Sequence, residues 1–333
     1  MNQLAAAPQA ADVDLNAMPR LGDIPRYHAG RKPSGVAVWF EARKIDWRTL
    51  DANANRVANA LLASGVKPGD RVAFVGKGSD EFFDLLFGTA RIGAVFVPVG
   101  WRLAPPEIVQ IVDDAEASIL FVGLDQLDRV DEFRAGLPRV KTFIGMEASG
   151  AGLQSFADWR DAQAASDPGI AVEPGDVALQ LYTSGTTGKP KGVMLSHRNI
   201  LAGRREAMQK RMPWSTWTDS DVNLVAMPLG HIGGGGWAIV GFLNDATTIL
   251  EREFIPSSVL DAIETRGVSK MFMVPAALQI LLAQPRVREI DYSRVRYILY
   301  GASPIALDLL RQATEVFGWQ ICLPYMGLSR ATR

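Results

Sequence analysis

Short apolar runs alternate with amphipathic stretches along most of the chain. Residues 49–64 carry apolar side chains at helical spacing, and Gly65 closes this predicted helix. A second helix is predicted to begin at Ser79, to carry Asp80 and Glu81 in its first turn and to end at Gly93, and a third near residues 105–114. The apolar runs predict buried strands at residues 71–75, 94–97, 119–122, 177–182, 222–226, 270–274, 295–299 and 320–323.

This alternation is typical of right-handed crossovers and of a mostly parallel sheet that is covered on both faces. Residues 145–176 interrupt the pattern with Gly, Ala, Ser and Asp, which predicts a linker or irregular surface. We therefore predict an α/β fold of stacked, mostly parallel sheets flanked by helices. The predicted organisation is a loosely held leader over 1–24, a first α/β subdomain over 25–175 and a second over 176–333.

Composition narrows the possible functions. The 333 residues carry a formal net charge of -1 and no block of like charge, so nucleic acid is not an expected partner. Cys322 is the only cysteine, which excludes an intrachain disulfide and a zinc knuckle. The N-terminus lacks the order of a signal peptide, and the apolar run near 233–243 is shorter than a membrane span. We expect a cytoplasmic protein without a membrane span, with a homodimer as a possible assembly.

The segment 183–192 directly follows a predicted buried strand and combines the groups that a polyphosphate needs. Gly185 and Gly188 permit backbone angles in which successive N–H groups point at one anion. Lys189 and Lys191 add positive charge against phosphate oxygens. Four further side chains offer hydroxyl donors, namely Thr183, Ser184, Thr186 and Thr187.

This segment differs from the usual P-loop. In that motif four residues separate the first Gly from the Gly-Lys pair, and Ser or Thr follows the Lys. Here two residues separate Gly185 from Gly188, and Pro190 follows Lys189. The alternative is a flexible surface turn, since Gly, Ser and Thr are ordinary loop residues. A run of ten residues with this composition directly after a buried strand favours phosphate binding.

Residues 182–193 resemble the signature of the adenylate-forming superfamily. That superfamily includes acyl-CoA synthetases, aryl-acid CoA ligases, luciferases and peptide-synthetase adenylation domains. Other segments are similar to further elements of the superfamily in the same order, at residues 45–50, 93–103, 227–234 and 300–304. The resemblance is strongest to the N-terminal portion of fatty acyl-CoA synthetases.

The resemblance implies two half-reactions: a carboxylate attacks ATP to give an acyl-adenylate, and coenzyme A then displaces AMP. ATP, Mg²⁺ and coenzyme A are the implied cofactors and co-substrates. The implied phosphate site consists of Thr183, Ser184, Gly185, Thr186, Thr187, Gly188, Lys189 and Lys191. The implied adenylate site consists of Gly301, Ala302, Ser303, Pro304, Tyr325, Gly327, Leu328 and Ser329. His231, Gly235 and Trp237 would line the acid pocket, and Thr183 would contact the magnesium ion.

His231, taken alone, is more typical of a histidine satisfied at the end of a buried strand. The four glycines at 233–236 favour a pocket, because they open space where side chains would otherwise form a wall. Gly230 stands where the family usually has an aromatic residue, so we expect a wider acid pocket. The apolar residues 271–274 indicate an apolar acid. His197 is expected only to open the helix after the phosphate-binding segment.

An esterase is the alternative chemistry. Residues 231–235 faintly resemble an oxyanion loop, and residues 301–304 faintly resemble a nucleophile elbow. A nucleophile elbow requires a Gly two places after its Ser. In this sequence the residue two places after Ser303 is Ile305. The sequence therefore disfavours an esterase.

The sequence departs from the family pattern at two places. Arg330 replaces the Glu that binds magnesium in the family, and a cation there would repel the metal. The chain stops at Arg333, so the ribose-binding Asp and the small C-terminal domain with its catalytic Lys are expected to be missing. We expect a chain that binds nucleotide better than it turns over.

The sequence therefore predicts an acid–thiol ligase of the AMP-forming acyl-CoA synthetase type, active in fatty acid metabolism, with a long-chain fatty acid as the first candidate substrate. An aryl or alicyclic acid is the second candidate. A nucleotide-binding remnant without catalytic activity is the alternative from another functional class.

Overall fold

The computed structural model describes residues 13–148, 150, 152–183, 190–210, 212–318 and 322–325. For Pro213 and for residues 322–325 only the backbone is described. These residues form an α/β fold with two mostly parallel sheets and flanking helices, which confirms the predicted fold class.

The described strands are short, as expected for buried strands between crossover helices. They are β1 (Val36–Phe40), β2 (Arg43–Asp46), β3 (Arg71–Val75), β4 (Val95–Val99), β5 (Ile119–Val122), β6 (Thr142–Gly145), β7 (Gln154–Ser155), β8 (Val177–Thr183), β9 (Lys191–Ser196), β10 (Val222–Val225), β11 (Thr247–Leu250), β12 (Lys270–Met273), β13 (Tyr297–Gly301) and β14 (Cys322–Tyr325).

The described helices connect these strands. They are α1 (Asp23–Arg31), α2 (Trp47–Ala63), α3 (Glu81–Arg91), α4 (Pro105–Asp114), α5 (Val130–Arg134), α6 (Phe156–Asp161), α7 (His197–Gln209), α8 (Trp237–Leu243), α9 (Pro256–Arg266), α10 (Pro275–Leu282) and α11 (Leu307–Phe317). A π-helical turn, Ile232–Gly236, precedes α8. Within the described ranges, every helix is too short or too polar to traverse a lipid bilayer.

Within the described residues each sheet has seven strands. The first sheet has the order β7-β6-β5-β3-β4-β8-β9, and the second has the order β14-β13-β12-β10-β11-β1-β2. All neighbouring pairs are parallel except β8–β9 and β1–β2, which lie at one edge of each sheet. The carboxyl ends of the parallel strands in a sheet therefore share one edge, where ligands of open α/β sheets usually bind.

The first sheet is buried on both faces, as β3 illustrates. Val72 and Phe74 belong to an apolar cluster that also contains residues of α2, α3, α8 and the second sheet. Ala73 and Val75 belong to a separate cluster with residues of α4 and α5. This alternation fixes the register of the strand, because a shift by one residue would exchange the two faces.

Several predicted elements are confirmed. β3 and β5 cover the predicted ranges 71–75 and 119–122, and α4 covers the predicted range 105–114. The predicted cap of α3 is wrong: the residue before the helix is Asp80 rather than Ser79, and it makes no side-chain capping hydrogen bond. The first-turn acids are Glu81 and Asp84. The predicted irregular region 145–176 contains β7 and α6.

The order of strands along the chain does not follow the division into two sheets. β1 and β2 belong to the second sheet although they come before all strands of the first sheet. β8 and β9 belong to the first sheet although they follow residue 175. The proposed division of the chain at residue 175 remains a prediction. Both halves of the chain contribute to both sheets.

Part of the expected leader is packed against the body of the protein. Met18, Leu21 and Ile24 are fully buried. The guanidinium of Arg205 donates hydrogen bonds to the carbonyl oxygens of Leu15 and Met18, over 3.0 and 2.8 Å. The hydrogen bonds hold Leu15 and Met18 on α7, and the buried side chains pack this part of the expected leader into the core.

His197, at the start of α7, has a structural environment that the sequence did not reveal. Its ring is fully buried, and its Nδ1 accepts a hydrogen bond from the backbone N–H of Leu21 over 3.2 Å. Burial lowers the pKa of the imidazole to about 4. His197 therefore joins α7 to the packed part of the leader as a neutral residue.

We expect His197 to make the protein sensitive to acid. The unfolded chain binds a proton at this residue near pH 6.5 and the native protein only near pH 4, so stability falls as the pH falls between these values. The His197→Asn variant keeps an acceptor without this titration. Between pH 6.5 and 4 the wild type should lose about 3 kcal/mol more stability than the variant, measured by urea unfolding. Equal losses would contradict this assignment.

Candidate active site

A cavity of about 720 Å³ lies where the carboxyl ends of strands from both sheets meet. Its walls come from residues at or after the ends of β3, β4 and β8 in the first sheet and of β10, β11, β12 and β13 in the second. We call this space the central cavity. Residues on its wall include Phe74, Trp101, Thr183, His231, Arg252, Val274 and Ala302.

Three segments that the sequence singled out separately meet at the central cavity. Thr183 begins the predicted phosphate-binding segment, His231 belongs to the predicted acid pocket, and Ala302 belongs to the predicted adenine-side loop. Together the three residues span more than one hundred positions of the chain, from 183 to 302. The fold thus brings together the starting points of the three predicted subsites.

The phosphate-binding segment connects two paired strands. Thr183 at the end of β8 lies opposite Lys191 at the start of β9 in the antiparallel register, and both residues are exposed. Six predicted phosphate-binding residues lie outside the described residues: Ser184, Gly185, Thr186, Thr187, Gly188 and Lys189. Of the described residues in this segment, Thr183 lies on the wall of the central cavity.

The predicted adenylate segments lie on neighbouring strands. Gly301 ends β13 and pairs with Tyr325 at the end of β14. Ala302 has a φ of +67°, a left-handed conformation that is uncommon for a residue with a Cβ. Ser303 and Pro304 are exposed beside it. Three further predicted residues, Gly327, Leu328 and Ser329, lie outside the described residues, as does the divergent Arg330.

His231 lies at the mouth of the central cavity, directly before the π-helical turn. The residue as a whole is exposed, while its carbonyl oxygen accepts hydrogen bonds from the N–H groups of Gly234 and Gly235 over 3.0 and 2.9 Å. Burial of part of the side chain lowers the pKa of His231, so the imidazole is neutral at pH 7. The residue is thus available to a ligand and is not enclosed in the core.

Glycine is required at two positions after His231 for a different physical reason from the one predicted. A Cβ on Gly234 would overlap the carbonyl oxygens of Pro228 and Met227, and one on Gly235 would lie 2.5 Å from the carbonyl oxygen of Leu229. These glycines permit close packing of the π-helical turn on the preceding chain. They do not widen the cavity at those two positions.

Gly230 does border open space. A Cβ on this residue would lie 3.7 Å from the nearest atom, the Cβ of Pro98, which is an ordinary contact distance. Gly230 is also part of the wall of the central cavity. The cavity is therefore wide at the position where an aromatic side chain was expected from the family pattern.

Two predicted pocket residues do not line the central cavity. Trp237 is 2% exposed, and its indole N–H donates a hydrogen bond to the carbonyl oxygen of Leu224 over 3.1 Å. Its ring packs near Trp217 and Phe272 in the core, so Trp237 lies away from the central cavity, and its role in an acid pocket stays a prediction. Gly235 lines a small apolar pocket beside the cavity instead.

The apolar segment 271–274 contributes less to the cavity than its composition indicated. Met271, Phe272 and Met273 are almost completely buried in the core. Val274 alone among these four residues lies on the wall of the central cavity, together with Ala277 and Ile280 of α10. The apolar character of this wall therefore comes largely from α10.

Charged residues that the sequence did not single out also surround the cavity. The Nζ of Lys77 lies 2.5 Å from the carboxylate of Glu253 and 4.6 Å from the ring centroid of Trp101. Arg102 stacks on the same ring at 4.0 Å and lies 3.6 Å from Glu253. Arg252 pairs with two other acids. The signal that could have found them is position: Lys77 and residues 252–253 follow the ends of strands at the binding edge.

The described residues offer little for magnesium. Among them, no group of three or more His, Cys, Asp or Glu side chains is placed to hold a metal ion. Thr183 is the only predicted magnesium contact in the described part, and Glu253 on the cavity wall is already paired with Lys77. Magnesium therefore stays a prediction.

The fold is that of an α/β protein with a cavity between its two sheets. A family model described as "AMP-binding enzyme" matches residues 26–329, and the chain belongs to this family. The match confirms the predicted relationship to adenylate-forming enzymes.

Relatives with different acid substrates in their names are similar to this chain. A fatty acid–[acyl-carrier-protein] ligase of Streptomyces coeruleorubidus is 36% identical over 300 residues, which covers 90% of this chain and 56% of that protein. A 3-hydroxybenzoate–CoA/4-hydroxybenzoate–CoA ligase of Thauera aromatica is 39% identical over 290 residues, which covers 85% of this chain and 54% of that protein. The chain thus spans about half the length of the curated relatives it matches.

Known structures have the same architecture. The N-terminal domain of FACL13 from Mycobacterium tuberculosis matches with a TM-score of 0.83 and 28% identity, over 94% of this chain and 77% of that one. The anthranilate CoA ligase AuaEII, in complex with anthranoyl-AMP, matches with a TM-score of 0.84 and 25% identity, over 91% of this chain and 58% of that one.

Proposed function

We propose that this protein takes part in the ATP-dependent activation of an apolar carboxylic acid. A carboxylate oxygen attacks the α-phosphorus of ATP, the bond to the bridging oxygen of the β-phosphate breaks, and pyrophosphate leaves. The sulfur of a thiol, coenzyme A in the first instance, then forms a bond to the acyl carbon, and AMP leaves as the thiol loses its proton. The observation that carries this proposal is the meeting of Thr183, His231 and Ala302 at one cavity.

In this chemistry the nucleophiles are the carboxylate and the thiol of the substrates. The protein therefore has to position the substrates and stabilise charge, and it need not supply a nucleophile of its own. The hydroxyls and lysines of segment 183–191 would bind the β- and γ-phosphates as negative charge develops on the leaving group. Backbone around Ala302 would lie along the adenine, and neutral His231 would face the acid. The strained φ of Ala302 supports a role in ligand binding, because such strain clusters at functional sites.

The central cavity fits the apolar part of an acid. Its volume of about 720 Å³ lies in the range of pockets that enclose small ligands. Val274, Ala277 and Ile280 offer an aliphatic wall, and Ile280 is 49% exposed, so the wall reaches the surface. A long acyl chain could extend along this wall toward solvent. We therefore favour a fatty acid.

An aryl acid is the second candidate. Phe74, Trp101 and Phe254 place three aromatic rings on the wall of the central cavity. Aromatic rings pair favourably with one another beyond the area that they bury. The relative from Thauera aromatica carries a benzoate-type acid in its name, which supports this alternative.

Isothermal titration separates these possibilities from a nucleotide-binding remnant. We expect ATP to bind, and decanoate to bind more tightly than 4-hydroxybenzoate in the presence of a non-hydrolysable ATP analogue. The reverse order would favour the aryl acid. Binding of ATP without binding of any acid in a panel of aliphatic and aromatic acids would favour the remnant, and binding of neither would contradict the proposed function.

The open space at Gly230 predicts a change of substrate size. In the Gly230→Phe variant the ring would occupy part of the cavity next to Pro98, so long or bulky acids should bind at least about tenfold more weakly while acetate is little affected. The measurement is the Kd of decanoate and of acetate for both proteins. The Gly230→Ala variant is the control, because a methyl group fits there at ordinary contact distance. Equal weakening of both acids would contradict this prediction.

A further inference from the structure

The segment Arg252–Phe254 forms one wall of the central cavity and lies between the two sheets. It follows β11 of the second sheet, but its polar contacts reach the first. The carbonyl oxygen of Arg252 accepts a hydrogen bond from the N–H of Gly78, which follows β3, over 3.2 Å. The position of this wall therefore depends on contacts across the boundary between the sheets.

The guanidinium of Arg252 is held by two acids from different parts of the chain. Both oxygens of Glu147 accept hydrogen bonds from its Nη1 and Nη2, over 2.8 and 2.9 Å. An oxygen of Glu41 accepts from Nη2 and Nε, over 2.8 and 3.2 Å. The bidentate pairing with Glu147 fixes the plane of the guanidinium as well as its position.

The backbone of both acids is strained. Glu41 has a φ of +51° and Glu147 a φ of +66°, although neither is a glycine. Such conformations cost free energy and persist only where the surroundings enforce them. At Glu147 part of that enforcement is visible, because its N–H donates a 2.7 Å hydrogen bond to the carboxylate of Glu81 on α3. Both strained residues direct a carboxylate at the same cation.

The next residue makes the opposite pairing. The carboxylate of Glu253 contacts Lys77 at 2.5 Å and Arg102 at 3.6 Å, and both cations belong to segments that follow strands of the first sheet. Two consecutive residues of this loop therefore form ion pairs of opposite sense with segments of the first sheet: Arg252 supplies the cation and Glu253 the anion. Both ion pairs fix the segment in place.

We propose that Arg252 is a positioning residue for the acid substrate. Glu41 and Glu147 hold the guanidinium of Arg252 and thereby fix the wall Arg252–Phe254, and the apolar part of the acid packs against this wall. This inference rests on the proposed function. Because Arg252, Lys77 and Arg102 all have acid partners, their charges are compensated, and this part of the cavity receives the apolar body of the acid instead of its carboxylate. The carboxylate then lies toward Thr183, His231 and Ala302.

The test compares Arg252→Met with a matched ion pair that lies away from the cavity. Arg286 also contacts two acids, Asp261 and Glu264, each at 2.7 Å, but it is exposed and is not part of the cavity wall. The proposal predicts that Arg252→Met weakens decanoate binding, by isothermal titration, at least about tenfold. Arg286→Met should bind decanoate like the wild type, and both variants should bind ATP like the wild type.

Conservative variants separate positioning from a general loss of structure. Arg252→Lys cannot make the bidentate pairing, so decanoate binding should fall by about threefold, between the wild type and Arg252→Met. Glu147→Gln keeps the shape of the side chain without its charge and should weaken decanoate binding while ATP binding stays intact. Thermal unfolding of each variant reports whether it is folded at the titration temperature.

Two results would overturn the proposal. One is decanoate affinity in a folded Arg252→Met or Glu147→Gln variant that equals the wild type. The other is an equal loss of ATP and decanoate affinity, which would mean that the clamp supports the fold in general. If the wild type binds ATP but neither decanoate nor 4-hydroxybenzoate, the proposed function fails first and the clamp has no acid to position.

Discussion

Replacing Gly234 by Ala will destabilise the protein by more than about 3 kcal/mol, because the new methyl group has no room. Its carbon would overlap the carbonyl oxygens of Pro228 and Met227, which are backbone atoms and cannot rotate away. The π-helical turn Ile232–Gly236 would have to move off the chain that precedes it, and His231 would move with it. Urea unfolding followed by circular dichroism measures the loss.

Gly230→Ala is the matched control for this experiment. Gly230 lies four residues earlier on the same loop, and its Cβ would meet only an ordinary contact at 3.7 Å. We expect a change below about 1 kcal/mol for this variant. A Gly234→Ala variant as stable as Gly230→Ala would contradict the close packing of the π-helical turn.

Removal of Lys189 or of the Thr186 hydroxyl will weaken ATP binding. A hydrogen bond to a charged group contributes about 1.5–3 kcal/mol, so the loss of Lys189 should raise the Kd of ATP about tenfold to a hundredfold. Thr186→Ala removes a neutral donor and should have a smaller effect in the same direction. Isothermal titration of each variant with ATP measures both effects.

Lys210→Ala is the control for a loss of one positive charge. Lys210 pairs with Glu206 on the surface at the end of α7, and both side chains are more than 60% exposed. Its removal should leave the Kd of ATP unchanged. Unchanged affinity in both Lys189→Ala and Thr186→Ala would contradict the assignment of segment 183–192 to phosphate binding.

Local signals explain which parts of the fold could be predicted from the sequence. α4 begins with Pro105, and the side chain of Glu107 caps its N-terminus, so its boundaries are encoded within a few residues. β3 and β5 are continuous apolar runs that are buried on both faces. In contrast, β1 and β2 turn at Glu41 with a left-handed φ and without a Gly or Asn to mark the turn. That hairpin was not predicted.

The candidate site was predicted only where one short segment carries its own signal. Segment 183–192 and residues 301–304 could be recognised in this way. The clamp on Arg252 could not be recognised in this way, because the pairing of β1 with β11 brings Glu41 to Arg252 and the meeting of the two sheets brings Glu147 to it. The position of Trp237 has a different cause: the π-helical turn before it contributes to the cavity wall, while its own indole faces Leu224 in the core.

Acid-dependent exchange of labelled pyrophosphate into ATP tests the central claim most directly, because it requires reversible formation of an acyl-adenylate. The protein is incubated with ATP, pyrophosphate and one acid at a time, with decanoate, 4-hydroxybenzoate and a reaction without acid compared side by side. We predict exchange that depends on the acid, is fastest with decanoate and is accompanied by decanoyl-AMP in the mass spectrum. An exchange rate that is the same with and without every acid, from protein that binds ATP, would contradict carboxylate activation.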